Sequence, residues 1–600
     1  MSERVLRIGG ASGFWGDAAR ATPQLLQFPR LDYIVYDYLA EITMSIMARA
    51  RAKDENKGFA TDFVTNAMQP NLELIAERGI KVVSNAGGVN PEACVAALVA
   101  EIATQGLDLK VACVVGDDLM SECSEFADLG TEEMFSGEAF PDPDKVMSIN
   151  AYLGAFPIAH ALGLGADIVV TGRCVDSAVT LGACIHAFGW TRDDVDQLAM
   201  GSLAGHILEC GPQATGGNFT DWEQISGLAN MGYPIAEISP DGSFVCTKPE
   251  GTGGMVTVGT VGEQMLYEIG DPQAYLLPDV ICDFSTVELQ QLGDDRVRVQ
   301  GAKGYPAPST YKVCATYADQ FRGGTLMTFY GIDADKKARA LAEGVLTAAG
   351  DTLNRFGLPD FSETSVEILG TESQYGDYAQ VNGSREVVVK LAAKHPEMIG
   401  IGILLKEAVG LGLATPPGLS GFAGSRPSPS PVVRLFSCTV PKQIVDVGIR
   451  IAGQQHVCDE AFGAPFDPAG LLRPTASSVP EPATTEVPLI KLAWGRSGDK
   501  GNKANVGIIA RKAEFLPYIW QALTEELVTE RFAHFLESTA PGSVQRFLLP
   551  GSHAINFLLH DVLGGGGIAS IRNDPQGKGY AQLLLSCPVP VTASIAERVS

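Results

Sequence analysis

The sequence predicts an α/β protein with a parallel-sheet N-terminal region, an α+β extension and a small α+β C-terminal domain. In the first 190 or so residues, short β-branched runs alternate with segments of helical period, a pattern typical of parallel sheets covered by helices. From about residue 234, Asp- or Gly-containing turns separate alternating apolar residues, as in antiparallel hairpins. A proline-rich segment then precedes the last part of the chain. We therefore expect a large domain over residues 1–460, a linker over 461–488 and a small domain over 489–600.

The elements of the N-terminal region follow from this alternation. We predict parallel strands at 5–8, 33–36, 81–84, 111–115 and 167–171. We predict helices near Pro23 and at 41–52, 63–78, 91–104, 151–162 and 176–187. The helix from Pro91 has proline in its first turn and Glu92 where the helix dipole favours an anion.

The extension and the small domain mix hairpins with helices. Hairpins are predicted over 235–248 and 287–301, and helices over 336–356 and 390–412, the latter ended by Pro416 and Pro417. Late strands at 432–440 and 444–453 complete the large domain. In the small domain, residues 514–537 have helical period.

Composition limits the possible functions. A net charge of −26 repels nucleic-acid backbones and anionic lipid surfaces, so we expect neither as a partner. No apolar run is long enough to span a bilayer, and the first residues lack a signal-peptide pattern. The 12 cysteines form no CxxC pair, which argues against a zinc ribbon. We expect a cytoplasmic protein that forms homo-oligomers and binds a small molecule.

Two glycine-rich loops follow predicted strands. GGASGFWGD and SNAGGVNP bare backbone N–H groups that can hold a phosphate or carboxylate. Their candidate binding residues are Gly10, Ser12, Gly13, Trp15, Asn85, Gly87, Gly88 and Asn90. The GxxGxxG spacing differs from the dinucleotide fingerprint, which argues against NAD or FAD. Tight turns are the alternative explanation for the glycines.

Charged residues at strand ends supply candidates for acid–base chemistry. Asp37 and Glu41 lie four residues apart at the start of a predicted helix, and Arg173 can bind a carboxylate bidentately. The alternatives are a purely structural Arg173–Asp176 pair and a dipole-stabilising role for Glu41. Asp17 also follows a strand. Asp117 and Asp118 would suit a divalent metal, but no third ligand lies nearby in sequence.

The segment GHILECGPQATGGNF concentrates polar groups in flexible backbone. His206 and Glu209 are three apart on a predicted helix and can form a proton-transfer pair, whereas Cys210 is either a nucleophile or an inert buried thiol. Further candidate binding residues here and in KPEGTGG are Gly216, Gly217, Asn218, Lys248, Thr252 and Gly253. In the small domain, residues 496–503 hold three cations that can bind an anion or dock the other domain.

The motifs GGASGFWGD, SNAGGVNP, ADIVVTGRCVDSA, GHILECGPQATGGNF and KPEGTGG occur in an order that resembles the acyclic terpene utilisation A-type family over about residues 5–455. The segment LAWGRSGDKGNKANVGI resembles the ferredoxin-like domain that is fused to, or encoded beside, the large domain in this family. The resemblance implies a role in citronellol and geraniol breakdown beside a geranyl-CoA carboxylase. It also implies a proposed lyase activity on 3-hydroxy-3-isohexenylglutaryl-CoA.

Together these observations predict an enzyme that cleaves an acyl-CoA at a carbon–carbon bond. Asp37, Glu41 or Glu209 would act as base and Arg173 would hold a free carboxylate. No cofactor is predicted beyond the CoA of the substrate, and no metal site is predicted. The alternatives are a hydratase or isomerase with the same groups, a non-catalytic partner of the carboxylase and neighbouring pathway enzymes, and a nucleotide-dependent oxidoreductase.

Overall fold

The computed structural model describes residues 4–381, 383–421, 427–458 and 463–599. The strands of the large domain are β1 Leu6–Gly10, β2 Tyr33–Tyr36, β3 Lys81–Ser84, β4 Val111–Val115, β5 Val146–Ala151, β6 Ile168–Thr171, β7 Ile235–Ile238, β8 Phe244–Thr247, β9 Tyr275–Leu276, β10 Ile281–Asp283, β11 Glu288–Gly293, β12 Arg296–Gln300, β13 Lys303–Tyr305, β14 Thr310–Tyr330, β15 Glu363–Leu369, β16 Glu386–His395, β17 Leu419–Ser420, β18 Ser430–Pro441, β19 Gly448–Ile451 and β20 Gln454–Val457.

The α-helices of the same domain are α1 Ala21–Leu25, α2 Glu41–Lys53, α3 Leu72–Arg78, α4 Pro91–Thr104, α5 Cys123–Asp128, α6 Phe156–Gly163, α7 Ala178–Phe188, α8 Val195–Leu208, α9 Val258–Leu266, α10 Ala334–Phe356 and α11 Met398–Gly410. Asn90 begins α4 as a side-chain cap, because its Oδ1 accepts from the backbone N–H of Ala93. Phe63–Met68 forms a π-helix ahead of α3.

The central sheet of the large domain has eleven strands in the order β11-β12-β8-β7-β1-β2-β3-β6-β4-β19-β20. The five middle strands, from β1 to β4 in this order, are parallel, and hairpins extend both edges in antiparallel fashion. One face packs on α1, α3 and α4, and the other on α6, α7 and α8. Because parallel strands end at the same edge, the loops after β1, β2, β3, β6 and β4 meet there.

A second sheet has the order β15-β16-β14-β17, and β18 and β5 also pair with β14. Helices α10 and α11 cover it with a separate apolar cluster. The 21-residue strand β14 pairs with β5, which ends at Ala151. This pairing brings the second sheet against the edge of the central sheet at which the parallel strands end.

The small domain consists of β21 Thr485–Pro488, β22 Ala493–Lys500, β23 Lys503–Ala510, β24 Val544–Leu549, β25 Ala554–Leu559, β26 Pro588–Val591, α12 Leu516–Ala522, α13 Glu525–Phe532, α14 Tyr580–Leu585 and α15 Ala593–Val599. Its antiparallel sheet has the order β22-β23-β25-β24. Ile509, Leu549 and Ala554 of this sheet belong to the apolar core of the large domain. The two domains therefore share a packed interface.

The predicted α/β class is confirmed, and both predicted hairpins of the extension are present as β7–β8 and β11–β12. Four helix predictions were partly wrong, the first of them the helix at 63–78, which divides into the π-helix Phe63–Met68 and α3. Residues 390–395 belong to β16, which pairs with β14 and β15 on its two sides, and helix α11 starts only after Pro396. Ala151 ends β5 rather than beginning a helix. Residues 514–537 form a 3-10 turn and two helices that break at Leu523.

Candidate functional site

Polar side chains gather where the parallel strands end. Asp37 follows β2, Asn85 follows β3, Asp117 follows β4 and Arg173 follows β6, and all four are buried. Crevices at the carboxyl ends of parallel strands are the usual ligand sites of open α/β sheets. This edge is therefore the candidate functional site.

Arg173 lies at the centre of the site. Its Nη1 donates to the carbonyl oxygens of Leu39 at 3.2 Å and of Cys174 at 3.0 Å, and to Asp176 Oδ1 at 2.6 Å. The guanidinium stacks 4.2 Å from the centre of the Tyr152 ring, and its Nε is buried without a hydrogen-bond partner among the described residues. The predicted Arg173–Asp176 pair is present, and Arg173 also ties the loop after β2 to the loop after β6.

Asp37 faces this arginine from the neighbouring loop. Asn85 donates from Nδ2 to Asp37 Oδ1 at 2.5 Å, and Ser12 donates its hydroxyl to the Asp37 carbonyl oxygen at 2.8 Å. Burial raises the pKa of Asp37 well above its usual range, and the nearby carboxyl groups of Asp176 and Glu209 raise it further. A carboxyl group in this state is protonated at a higher pH than usual and can donate a proton.

Glu41 is held as a carboxylate by the opposite balance. The Tyr152 hydroxyl donates to Glu41 Oε1 at 2.7 Å, and Lys312 Nζ lies 3.8 Å from the same oxygen. Although burial raises the pKa of Glu41, Lys312 and Arg173 lower it to about 2 overall. Asp37 and Glu41 are four residues apart in sequence, yet the pKa of Asp37 is raised and that of Glu41 is lowered.

His206 and Glu209 form the predicted pair at the end of α8. The distance between His206 Nδ1 and Glu209 Oε1 is 2.8 Å, and His206 Nε2 lies 3.2 Å from the Met265 carbonyl oxygen. Since a carbonyl oxygen only accepts, Nε2 carries a hydrogen, and Nδ1 and Glu209 share one proton between them. Burial raises the pKa of Glu209 above its usual range, whereas the interaction with His206 lowers it.

The first glycine loop brings these groups together by close packing. A β-carbon on Gly10 would lie 2.7 Å from the Leu208 carbonyl oxygen, and one on Gly13 would lie 2.9 Å from the Cys210 carbonyl carbon. These glycines therefore allow the loop after β1 to approach the segment that carries Glu209. Trp15 of the same loop is half-buried and packs on the apolar cluster around α4.

The second glycine loop is packed in the same way. A β-carbon on Gly87 would lie 2.4 Å from the Thr171 carbonyl oxygen, and Gly88 has φ +55° against Gly58 and Met47. Asn90 donates from Nδ2 to two backbone carbonyls of residues 55–57 besides capping α4. Of this loop, only Asn85 has a hydrogen bond to a carboxyl group of the site.

The remaining predicted binding residues lie in neighbouring loops. Lys248 pairs with Asp295 at 3.0 Å, and its Nζ donates to the Thr252 carbonyl oxygen at 3.1 Å. Close backbone contacts surround Gly217 and Gly253, whereas a β-carbon on Gly216 would meet the Ile225 side chain. Asn218 is exposed, and its carbonyl oxygen accepts from Arg496 of the small domain at 3.5 Å. The structure thus places Lys248 in an ion pair rather than beside Arg173.

Three other sequence-based candidates have defined surroundings. Asp117 accepts from the Arg173 backbone N–H at 2.7 Å and from Asn150 Nδ2 at 2.9 Å, whereas Asp118 pairs with Arg51 at 3.2 Å. Burial raises the pKa of the Cys210 thiol well above its usual range, which disfavours the thiolate. Among the residues that the structure describes, no three His, Cys, Asp or Glu side chains are grouped as metal ligands.

The small domain closes the site from the other side. Lys578 Nζ donates to Glu268 Oε1 at 2.9 Å and to Asp499 Oδ1 at 3.1 Å, and it also contacts the Tyr267 hydroxyl. Burial raises the pKa of Asp499 to about 6, and Glu268 and Glu41 add to this shift. An electrostatic interaction thus links a small-domain carboxyl group to Glu41 across the cleft.

Among the residues of this arrangement that sequence analysis missed are Tyr152, Lys312 and Glu268. None lies in a glycine-rich loop. Tyr152 and Lys312 reach Glu41 only through the pairing of β5 with β14, and Glu268 reaches Lys578 only through domain docking. The sequence signal that was available was in the small domain, where the cation-rich segment 496–503 contains Asp499 and Lys500.

The fold and the site define a two-domain α/β protein with a cluster of buried polar groups at the carboxyl edge of its parallel strands, against which a small antiparallel domain packs. The chain belongs to the acyclic terpene utilisation family: the model described as acyclic terpene utilisation family protein AtuA matches residues 6–451. The model of the AtuA ferredoxin-like domain matches residues 487–590. Membership implies a part in acyclic terpene utilisation. Comparison with curated proteins and with solved structures gives no match.

No helix among the described residues is both long and apolar enough to pass through a membrane.

Proposed function

We propose that this protein is a carbon–carbon lyase of acyclic terpene catabolism that acts on a CoA thioester, with 3-hydroxy-3-isohexenylglutaryl-CoA as the substrate. The observation that carries the proposal is that Asp37 and Glu209, two carboxyl groups with raised pKa, lie close enough to interact, with Arg173 beside Asp37. Enzymes that break a bond next to a hydroxyl-bearing carbon need such an acid and base close together.

In the proposed reaction, Glu209 removes the proton of the tertiary hydroxyl group. The new carbonyl forms as the adjacent carbon–carbon bond breaks, and the electron pair of that bond passes to the departing fragment as an enolate. Asp37, kept protonated by its surroundings, donates a proton to the enolate carbon. Substrate thus divides into two products whose masses sum to its own. Nothing is oxidised or reduced by a second reactant.

Glu209 suits the role of base better than Glu41 does. The pKa of Glu41 is about 2, so its carboxylate has little affinity for a proton at neutral pH. Glu209 instead shares a proton with His206, whose orientation is fixed by the Met265 carbonyl oxygen. Glu41 then serves to orient Tyr152 and to balance the charge of Lys312.

Arg173 has a different part in this scheme. Because Nη1 is occupied by three acceptors, any contact with the substrate carboxylate falls to the rest of the guanidinium, including the unpartnered Nε. These three hydrogen bonds hold the loop that carries Asp37 against the loop that carries Asp176. Arg173 is therefore proposed mainly as a positioning residue with one face towards the ligand.

The test uses the full chain with 3-hydroxy-3-isohexenylglutaryl-CoA, 3-hydroxy-3-methylglutaryl-CoA and an enoyl-CoA, with and without Mg²⁺, and follows products by mass spectrometry. We expect cleavage of the first substrate into two fragments. A product differing from its substrate by one water would replace the lyase by a hydratase. No product and no thermal stabilisation by any CoA ester would instead favour a non-catalytic partner of the pathway enzymes.

A further inference from the structure

The tip of the β22–β23 hairpin of the small domain lies beside the candidate site. Lys500 ends β22, Gly501 takes φ +63° in the turn and Lys503 begins β23. A β-carbon on Gly498, two residues before the tip, would lie 2.6 Å from the Tyr267 ring and 2.7 Å from Glu268 Cγ. Only a glycine allows β22 to approach the large domain this closely, and this approach places Lys500 beside the site.

Buried hydrogen bonds fix the position of this hairpin. Asn505 of β23 donates to the Leu266 carbonyl oxygen at 2.6 Å and accepts from the Glu268 backbone N–H at 2.9 Å. The neighbouring Asn556 of β25 donates to the Ile269 carbonyl oxygen at 2.8 Å. The segment bound in this way begins one residue after Met265, whose carbonyl oxygen holds His206. The hairpin and the His206–Glu209 pair are thus anchored to the same stretch of backbone.

Two lysines of the small domain lie at this edge, and their surroundings differ. Lys578 is bound by two carboxylates, at 2.9 and 3.1 Å. Lys500 keeps part of its surface exposed at the hairpin tip and, in the described part of the chain, forms no ion pair with any carboxylate. It nevertheless interacts electrostatically with Asp176, Glu209, Glu268 and Tyr275 of the large domain. Lys500 is therefore a cation that faces the site without being neutralised by a direct contact.

Because several carboxyl groups lie close together at this site, an anionic ligand needs a nearby cation to bind there. Although burial lowers the pKa of Lys500, the neighbouring acidic groups raise it overall, so the amine stays protonated. A second negative charge entering beside Glu209 would be repelled by Asp176 and Glu41 unless a free cation met it. Arg173 has one nitrogen committed to three acceptors and Lys578 is committed to two carboxylates, whereas Lys500 has no such contact among the described residues.

We propose that Lys500 binds the free carboxylate of a dicarboxylic acyl-CoA, so that the small domain supplies part of the substrate site. This inference rests on the proposed lyase function and names the residue that would select a substrate with a second carboxylate. A monocarboxylic thioester would leave the Lys500 ammonium without its partner and would bind more weakly. The ferredoxin-like domain is then a component of the active site and not only a docking module.

The experiment compares the full-length wild type with Lys500→Met, Lys500→Arg and the control Lys491→Met, an exposed lysine of the same domain. Steady-state kinetics with 3-hydroxy-3-isohexenylglutaryl-CoA give kcat and KM separately. Thermal shifts are measured with 3-hydroxy-3-methylglutarate and with its monomethyl ester, which lacks one of the two charges. The unfolding midpoint without ligand reports whether each variant is folded.

We expect Lys500→Met to raise KM about tenfold or more with a smaller change in kcat, Lys500→Arg to restore most of the loss, and Lys491→Met to behave as wild type. The dicarboxylate should stabilise wild type more than its monoester does, and Lys500→Met should remove that difference. If Lys500→Met does not fold, the kinetics of Lys500→Arg and the comparison of the two ligands on wild type still test whether Lys500 binds the free carboxylate.

The outcomes separate this inference from the proposed function. Normal turnover with an unchanged KM in Lys500→Met would overturn the role of Lys500 and leave the lyase standing. No turnover by wild type, with stabilisation by the dicarboxylate that depends on Lys500, would overturn the lyase and leave the carboxylate site standing. Neither turnover nor stabilisation would overturn both.

Discussion

The small domain meets the large domain in two polar regions that differ in how completely their charges are paired. In the first, Arg511 donates to both carboxylate oxygens of Asp221 at 2.6 Å, and Trp494 Nε1 adds a third hydrogen bond at 2.8 Å. In the second, around Glu268 and Lys578, Lys500 faces acidic groups without an ion pair in the described part of the chain, and the pKa of Asp499 is raised to about 6.

This difference distinguishes the contacts that hold the two domains together from the groups that are available to bind a ligand. A contact between two domains stabilises their association most when every donor and acceptor is hydrogen-bonded, as in the bidentate Asp221–Arg511 pair. Buried groups with perturbed pKa values and unpaired charges are costly, and they are concentrated at sites where a substrate completes them. We therefore assign Asp221 to docking and the Glu209, Asp499 and Lys500 group to chemistry.

The largest expected effect is on catalysis. Glu209→Gln should lower kcat by about 100-fold or more, because an amide cannot take the proton of the substrate hydroxyl, while the unfolding midpoint stays close to wild type. The measurement is steady-state cleavage of 3-hydroxy-3-isohexenylglutaryl-CoA. Glu223→Gln, which changes an exposed glutamate of the same domain, is the matched control and should leave kcat unchanged. Equal activity of Glu209→Gln and wild type would remove Glu209 from the proposed mechanism.

The next effect is on stability and belongs to the docking region. Asp221→Asn places an amide where Arg511 and Trp494 need an acceptor, and it leaves a partly buried guanidinium without its counter-charge. We expect a loss of about 2–3 kcal/mol in the free energy of unfolding, measured by urea denaturation. Since Asp221 is not in the cleft, the kcat of the folded fraction should change little.

The control for this change is a more exposed ion pair. Glu514→Gln breaks the contact with Arg598, in which both side chains are nearly half exposed, and should cost about 0.5 kcal/mol or less. If both variants lose the same stability, the bidentate pair contributes no more than a surface pair and the assignment of Asp221 to docking is wrong.

Much of the fold could be predicted because its signals are local. The five parallel strands and the hairpins β7–β8 and β11–β12 are visible as apolar runs bounded by turn residues. Residues 390–395 were predicted as helix because their local pattern fits one. Their strand conformation comes from pairing with β14 and β15, which lie far away in sequence.

The candidate site divides in the same way. Asp37, Asn85, Arg173 and Glu209 were found because polar residues after parallel strands, or near a glycine loop, mark a possible ligand edge. Lys312 is one position in a long strand, with no local feature that separates it from other strand lysines. Its link to Glu41 depends on the pairing of β14 with β5, which no short sequence window contains.

The glycine loops show a further limit of sequence reasoning. Glycine permits both an exposed anion cradle and a close backbone approach, and the two uses leave the same letter in the sequence. For Gly10 and Gly87 the structure gives a direct steric reason, since an added β-carbon would lie 2.7 and 2.4 Å from a backbone oxygen.

The smallest expected effect is a pH-dependent change in stability caused by Glu263, a buried carboxyl group of the docking region. Glu263 of α9 accepts from the Thr220 backbone N–H at 3.1 Å and from its hydroxyl at 2.5 Å, yet burial raises the pKa of Glu263 to about 7. A carboxyl group with a raised folded-state pKa contributes stability below about pH 4.5, which is lost as the pH rises through about 7. Relative to Glu263→Gln, wild type should therefore lose about 2 kcal/mol between pH 5.5 and 7.5, measured by urea denaturation at both values. Glu223→Gln should follow the wild-type profile. A parallel profile for Glu263→Gln would show that Glu263 is already ionised in the folded protein over this pH range.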